Sequence, residues 1–149
     1  MSELDDLYQE IILDHNRRPR NFRKLEDATH QAEGHNPLCG DEITVFVKLD
    51  GDQISEIAFD GQGCAISKAS ASLMTARLKG RRLEEMRNVV SDVRELLTGS
   101  EEGAANLETL GDLAALQGVR KYAVRVKCAT LAWHALEAAL AGEHETTTE

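Results

Sequence analysis

Residues 42–60 read EITVFVKLDGDQISEIAFD, and the rest of the chain can be arranged around them. Apolar and polar residues alternate on both sides of a central Asp50-Gly51-Asp52, and the apolar positions are rich in β-branched Ile and Val. Asp-Gly pairs are typical of the tight turns that join two antiparallel strands. This stretch therefore predicts a β-hairpin with strands near residues 42–49 and 53–60.

The segments on either side of the hairpin complete an α+β domain. A weaker strand pattern near residues 29–33 predicts a third strand beside the hairpin. Apolar residues recur at helical spacing in one segment before the sheet and in several after it: residues 4–15, 65–79, 83–97, 107–116 and 124–141. Residues 98–103 are polar and glycine-containing, which predicts a loop. We therefore predict a three-stranded antiparallel sheet with helices packed on one of its faces.

The composition is that of a single globular domain. A chain of 149 residues with 42% hydrophobic and 29% charged residues can bury one sizeable core. No apolar run approaches the 18 residues of a membrane span, and the acidic N-terminus has no apolar signal segment. We predict one domain over residues 1–142, a frayed tail over residues 143–149, and a cytoplasmic location.

The charge balance narrows the classes of partner. The chain has 17 Lys and Arg against 26 Asp and Glu, which gives a formal net charge of −9. Nucleic-acid binding uses a basic face, and anionic membranes attract basic segments. The sequence therefore argues against both a nucleic acid and a membrane as partners.

Three cysteines and an aspartate lie at the ends of the predicted elements. Cys39 and Asp41 precede the hairpin, Cys64 lies near a predicted helix start, and Cys128 is in the first turns of the last helix. Three thiolates and a carboxylate suit a tetrahedral zinc site, and a helix N-terminus favours the thiolate form of Cys64. Free cysteines are also often small buried residues with no metal. Because the chain has no CxxC pair, the spacing alone favours small buried residues and leaves the metal site as the open alternative.

Three longer motifs resemble a single protein family. They are HNPLCGDEI at residues 35–43, GQGCAISKASASLM at residues 61–74 and VRVKCATLAW at residues 124–133. Together, and in this order, they resemble the iron–sulfur cluster assembly family called IscU-like or NifU N-terminal-like. The resemblance extends from the first helix to about residue 141, and it implies the IscU/SufU-like fold.

Two departures from the scaffold branch of that family resemble its SufU branch instead. The scaffold branch typically has a histidine immediately before the last cysteine and builds a [2Fe–2S] cluster, whereas this chain has Lys127 there. The segment at residues 98–118 is also longer than the scaffold branch usually shows. The resemblance to SufU implies a zinc-dependent sulfurtransferase that works with a SufS-type cysteine desulfurase and supplies downstream iron–sulfur assembly proteins.

The same resemblance implies the roles of the site residues. Cys39, Asp41, Cys64 and Cys128 would bind zinc, and Cys39 would accept the sulfur after a histidine of the desulfurase displaces it from the metal. These ligands leave a zinc site with a net charge of roughly −2, which neighbouring cations would offset. The candidate cations are Lys68, Arg125 and Lys127. Arg125 lies one helical turn before Cys128, so we predict that it reaches the zinc-bound thiolates and has a catalytic role. The alternative for each of the three is an ordinary solvated surface cation.

Two other functions stay open at this point. The chain could be a scaffold that binds a nascent [2Fe–2S] cluster without transferring sulfur, because three thiolates and Asp41 could still hold iron. It could also be an interaction adaptor in which the zinc is purely structural.

Overall fold

The fold is known from a computed structural model that describes residues 3–98 and 110–148. Its helical elements are α1 (Glu3–Arg17), α2 (Ala65–Leu78), α3 (Leu83–Thr98), a 3₁₀ segment (Gly111–Val119) and α4 (Ala123–Leu140). Its strands are β1 (His30–Asn36), β2 (Asp41–Asp50), β3 (Gln53–Gln62) and β4 (Glu145–Thr147). None of the helices in these two ranges combines the length and the apolar character that a membrane-spanning helix needs.

The sheet confirms the predicted hairpin and extends the predicted architecture. β2 and β3 pair antiparallel around a turn that contains Gly51, which adopts the left-handed conformation that glycine tolerates. β1 pairs antiparallel with β2 and is longer than the predicted strand at residues 29–33. The strand order is β3-β2-β1-β4, and β4 runs parallel to β1. The sheet is therefore mixed and four-stranded, where the sequence predicted three antiparallel strands.

The fourth strand comes from the segment that the sequence predicted to fray. β4 pairs with residues 33–35 of β1, and the Glu33 N–H donates to the carbonyl of His144 at 2.9 Å. Without this pairing β1 would be an edge strand with open main-chain groups, and the tail satisfies them. The polar sequence of β4 has no apolar alternation, so its pattern could not predict a strand.

The helices pack on one face of the sheet, as predicted. Ile43, Val45 and Val47 of β2 are buried in the core that α2 and α4 share with this face. Phe46 lies on the other face and packs in a small cluster with Leu25. Hydrophobic burial on the helical side is the main source of stability.

The segment between α3 and α4 is described only in part. The predicted loop at residues 98–103 and the start of the predicted helical return at residues 107–116 lie largely outside the described residues. From residue 110 onward the chain is described, and the 3₁₀ segment buries Leu113 and Leu116 in the main core.

The antiparallel pairing brings the ends of several elements together at one end of the strands. Asn36 at the end of β1 is the register partner of Asp41 at the start of β2, and Glu42 pairs with Gln62 at the end of β3. α2 begins three residues after β3, so its N-terminus lies at the same end. The predicted ligands Cys39, Asp41 and Cys64 lie at this end of the sheet.

Candidate metal centre

A tight turn presents Cys39 to solvent and places Asp41 inside the protein. The turn joins β1 to β2, and the main-chain carbonyl of Asn36 accepts from the N–H groups of Cys39 (3.2 Å) and Gly40 (2.9 Å). Gly40 has a φ of 72°, which L side chains rarely adopt. Cys39 is exposed, whereas Asp41 is only 2% exposed.

The start of α2 holds the carboxylate of Asp41. Cys64 is the N-cap residue, and its Sγ accepts from the Ser67 N–H at 3.5 Å. Its own N–H donates to Asp41 Oδ1 at 2.9 Å. A Cβ added at Gly63 would lie 3.1 Å from that same oxygen. The second glycine of the GQGC motif therefore leaves room for the carboxylate below the helix start.

The fourth predicted ligand reaches the site from α4. Cys128 is buried, and its Sγ lies 3.6 Å from the Sγ of Cys39, well beyond the length of a disulfide bond. Ligand atoms of Cys39, Asp41 and Cys128 all lie within 4.8 Å of one another. The Sγ of Cys64 lies 3.8 Å from Asp41 Oδ2. The structure thus brings Cys39, Asp41 and Cys128 together, whereas Cys64 is not part of that group and reaches it through its contacts with Asp41. The four-ligand set stays a prediction.

The electrostatics of this cluster favour a cation. Burial raises the pKa of the Cys128 thiol well above the range of a free cysteine. The neighbouring thiols of Cys39 and Cys64 and the carboxylate of Asp41 add to that rise. Anionic groups packed this closely resist joint ionisation, and a divalent cation among them reverses that preference.

Two pairs of these donor atoms also have the spacing of zinc ligands. Tetrahedral zinc with bonds of about 2.3 Å to sulfur separates neighbouring ligand atoms by about 3.8 Å. The distance from Cys39 Sγ to Cys128 Sγ is 3.6 Å, and that from Cys64 Sγ to Asp41 Oδ2 is 3.8 Å. Thiols with a carboxylate are ligands that zinc accepts.

Two polar residues that the sequence analysis did not single out complete the site. Ser67 Oγ donates to Asp41 Oδ2 at 2.6 Å. The side-chain nitrogen of Asn36 lies 3.4 Å from Asp41 Oδ2 and 3.5 Å from Cys128 Sγ. Both residues lie inside the quoted motifs, three positions from a predicted cysteine ligand, and this proximity was the available signal.

The structure places two of the predicted cations, Arg125 and Lys68, against aromatic rings. Arg125 is exposed, and its guanidinium stacks 4.7 Å from the centre of the Tyr122 ring. The amine of Lys68 lies 5.0 Å from the centre of the Phe22 ring. The described contact of each of these two cations is with an aromatic ring, and the catalytic role of Arg125 stays a prediction.

Comparison with known proteins places this geometry in a family. The model of the NifU-like N terminal domain matches residues 7–129. The zinc-dependent sulfurtransferase SufU of Bacillus subtilis is 43% identical over 142 residues, which cover 95% of each chain. The iron–sulfur cluster assembly scaffold protein IscU of Streptococcus pyogenes is 41% identical over 140 residues, covering 94% of this chain and 86% of that one.

Solved structures agree with the sequence comparisons. FiSufU of Fervidobacterium islandicum superposes with a TM-score of 0.82 at 35% identity, covering 88% of this chain and 94% of that one. The N-terminal part of a NifU-like protein of Brucella abortus gives a TM-score of 0.81 at 26% identity, covering 94% and 96%. The chain therefore belongs to the NifU-like N-terminal domain family, as its three motifs predicted.

Proposed function

We propose that the protein is a zinc-dependent sulfurtransferase that accepts persulfide sulfur from a SufS-type cysteine desulfurase for iron–sulfur cluster assembly. The observation that carries the proposal is an exposed thiol, Cys39, 3.6 Å from a buried one, Cys128. The 43% identity to a protein named zinc-dependent sulfurtransferase SufU supports the same activity. Lys127 also supports it, because an ammonium at that position cannot act as a metal ligand.

The four ligands in this proposal are Cys39, Asp41, Cys64 and Cys128. Zinc bound by them would keep their thiols deprotonated at neutral pH. Asp41 has both carboxylate oxygens oriented by the protein, one by the Cys64 N–H and the other by the Ser67 hydroxyl. Such outer contacts fix a ligand's direction and support metal affinity.

Cys39 is the nucleophile in this account. Its thiolate attacks the outer sulfur of the desulfurase persulfide, and a new S–S bond forms on Cys39. The S–S bond in the desulfurase breaks, and the desulfurase cysteine leaves as a thiolate, so no external oxidant or reductant is consumed. Of the three thiols in the site, Cys39 is exposed, Cys64 is half-buried and Cys128 is buried. Exposure therefore selects Cys39 as the acceptor.

Arg125 has a supporting role in the proposal. It lies on α4 one turn before Cys128, on a surface that bears the exposed Tyr122 and Val124. A cation there would favour the approach of a negatively charged persulfide by electrostatic attraction. Downstream assembly proteins would then take the sulfur from Cys39.

A desulfurase assay tests the proposal. A SufS-type enzyme is given cysteine, and alanine release is measured with and without the zinc-loaded protein. We expect the wild-type chain to accelerate alanine release and Cys39→Ser, which preserves the size of the side chain, to have no effect. Acceleration by Cys39→Ser equal to that of the wild type contradicts the proposal.

A scaffold function is the second candidate, and a specific observation favours it. Relatives named IscU scaffold proteins match this chain, one of them at 41% identity, and three thiols lie together in the site. Metal analysis of protein purified without oxygen separates the two functions. About one tightly held zinc per chain supports sulfur transfer, whereas iron with labile sulfide supports a scaffold.

A further inference from the structure

We infer that Asn36 is a positioning residue for the thiol site and that Thr148, in the C-terminal segment, holds the Asn36 amide in its working orientation. This inference rests on the proposed function, because it concerns the same metal ligands. It adds two residues and a segment of the chain to which neither the motifs nor the comparisons assign a role.

Asn36 contacts the acceptor turn and two proposed ligands. It is fully buried at the end of β1. Its main-chain carbonyl accepts from the N–H groups of Cys39 and Gly40, at 3.2 and 2.9 Å. Its side-chain nitrogen lies 3.4 Å from Asp41 Oδ2 and 3.5 Å from Cys128 Sγ. One residue therefore links the acceptor turn, the carboxylate ligand and the buried thiol.

These partners require one orientation of the Asn36 amide. A side-chain amide has two N–H donors and one carbonyl oxygen, and turning it over exchanges them. A carboxylate and a thiolate only accept hydrogen bonds, so the NH₂ group has to face Asp41 and Cys128. The opposite orientation would place the amide oxygen against two anions. The site thus depends on whatever fixes the other side of this amide.

Thr148 fixes that other side. Its Oγ1 donates to Asn36 Oδ1 at 3.0 Å. In the orientation that Asp41 and Cys128 require, the hydroxyl therefore gives the buried amide oxygen its hydrogen-bond donor. Its own N–H donates to the carbonyl of His35 at 3.1 Å. β4 pairs with β1 just before it, and this pairing anchors the segment beside Asn36. The C-terminal segment therefore acts on the metal centre through one hydroxyl group.

Loss of this hydroxyl should weaken metal binding without unfolding the protein. Replacing an outer contact of a metal ligand typically lowers metal affinity by about 10- to 100-fold. Because Thr148 acts through Asn36, we expect Thr148→Val to lower zinc affinity by about tenfold, at the lower end of that range.

The test uses the full-length, zinc-loaded chain and compares Thr148→Val with its control Thr148→Ser. Valine matches threonine in shape and lacks the hydroxyl, whereas serine keeps it. Zinc affinity is measured by competition with a chelator, the absorption of the cobalt(II)-substituted protein reports the thiolate ligands, and the melting temperature is recorded without metal. We expect weaker zinc binding and an altered cobalt spectrum in the valine variant alone, with unchanged melting of the metal-free protein.

Three results would overturn the inference and leave the proposed function standing. They are wild-type zinc affinity in Thr148→Val, an equal loss in Thr148→Ser, and a parallel loss of metal-free stability in the valine variant. A wild-type chain that binds no zinc would overturn the proposed function together with the inference. The failures of the two proposals are therefore distinguishable.

Discussion

The Sγ atoms of Cys39 and Cys128 lie 3.6 Å apart, yet one residue lies in an exposed turn and the other in a packed helix. Cys39 is exposed in a turn whose main chain is held by two hydrogen bonds to Asn36. Cys128 is 3% exposed in a helix that packs against the sheet and α2. Local opening costs little free energy in an exposed turn and much more in a packed helix. The two settings therefore suit the two tasks of the proposed function, sulfur transfer at Cys39 and metal retention at Cys128.

The largest expected effect is a difference in reactivity between these two thiols. In metal-free folded protein, we expect iodoacetamide to modify Cys39 at least about tenfold faster than Cys128, because Cys128 has to wait for local unfolding. Peptide mass spectrometry after short exposures measures both rates. In urea-unfolded protein, the control, the two rates should converge. Equal rates in the folded protein would break the distinction between the two thiols.

Two buried serines one turn apart on α2 allow zinc binding to be tested separately from the stability of the core. Ser67 Oγ donates to Asp41 at 2.6 Å, whereas Ser70 Oγ donates to the carbonyl of Ala129 and accepts from Trp133 Nε1. We expect Ser67→Ala to lower zinc affinity by about 10- to 100-fold. We expect Ser70→Ala to lower the free energy of unfolding of the metal-free protein by about 1–3 kcal/mol and to leave zinc affinity unchanged.

Chelator competition and urea unfolding on both serine variants give the two quantities. The outcome that would contradict this separation is an equal loss of zinc affinity in the two variants. It would mean that zinc binding follows general stability and not the orientation of Asp41.

Acidification should act on the packing of α1 against α2, away from the thiols. His15 is buried with its Nδ1 2.7 Å from Ser72 Oγ, and burial, assisted by the positive charge of Arg20, lowers the pKa of its imidazole. The unfolded chain binds this proton near pH 6.5, and the folded chain binds it only at lower pH. The free energy of unfolding should therefore fall, by up to about 1.4 kcal/mol per pH unit, as the pH drops below about 6.5.

Urea unfolding of the metal-free protein across this pH range measures that slope. His15→Gln removes the titrating group and retains the other histidines, so we expect a shallower slope in this variant. If the slope of His15→Gln equals that of the wild type, the acid sensitivity lies elsewhere.

The smallest expected effect concerns Arg125. Exposed charges contribute only about 0.2–1 kcal/mol, so we expect Arg125→Ala to reduce the acceleration of the desulfurase by about two- to fivefold. Zinc affinity should stay unchanged, because Arg125 is not a ligand. Arg87→Ala, an exposed arginine on α3, is the matched control for a lost surface charge. Equal acceleration of the desulfurase by the two variants would show that Arg125 has no specific role.

The sequence predicted those features whose signals are local. The hairpin at residues 42–60 and the helices before and after it follow from apolar periodicity, which the structure confirms. β4 escaped prediction because its three residues are polar and pair with β1, more than a hundred positions away along the chain. Pairing over such a distance leaves no trace in a sequence window.

The metal site was likewise predictable only in part. Spacing could not decide whether Cys39, Cys64 and Cys128 bind metal, and only the resemblance of whole motifs favoured that interpretation. The structure adds the proximity of these residues, which spacing could not give. Asn36 and Ser67 were missed because their importance depends on which atoms their side chains face, and this follows from strand register and helix capping.

Mass spectrometry of the protein after reaction with a SufS-type desulfurase and cysteine shows which thiol accepts the sulfur. The zinc-loaded chain is incubated, separated without reducing agent and digested, and each cysteine peptide is examined for an added sulfur atom. We expect one added sulfur on the Cys39 peptide and none on the peptides of Cys64 and Cys128. An unmodified Cys39, or sulfur found on Cys128 instead, would contradict the proposed role of Cys39.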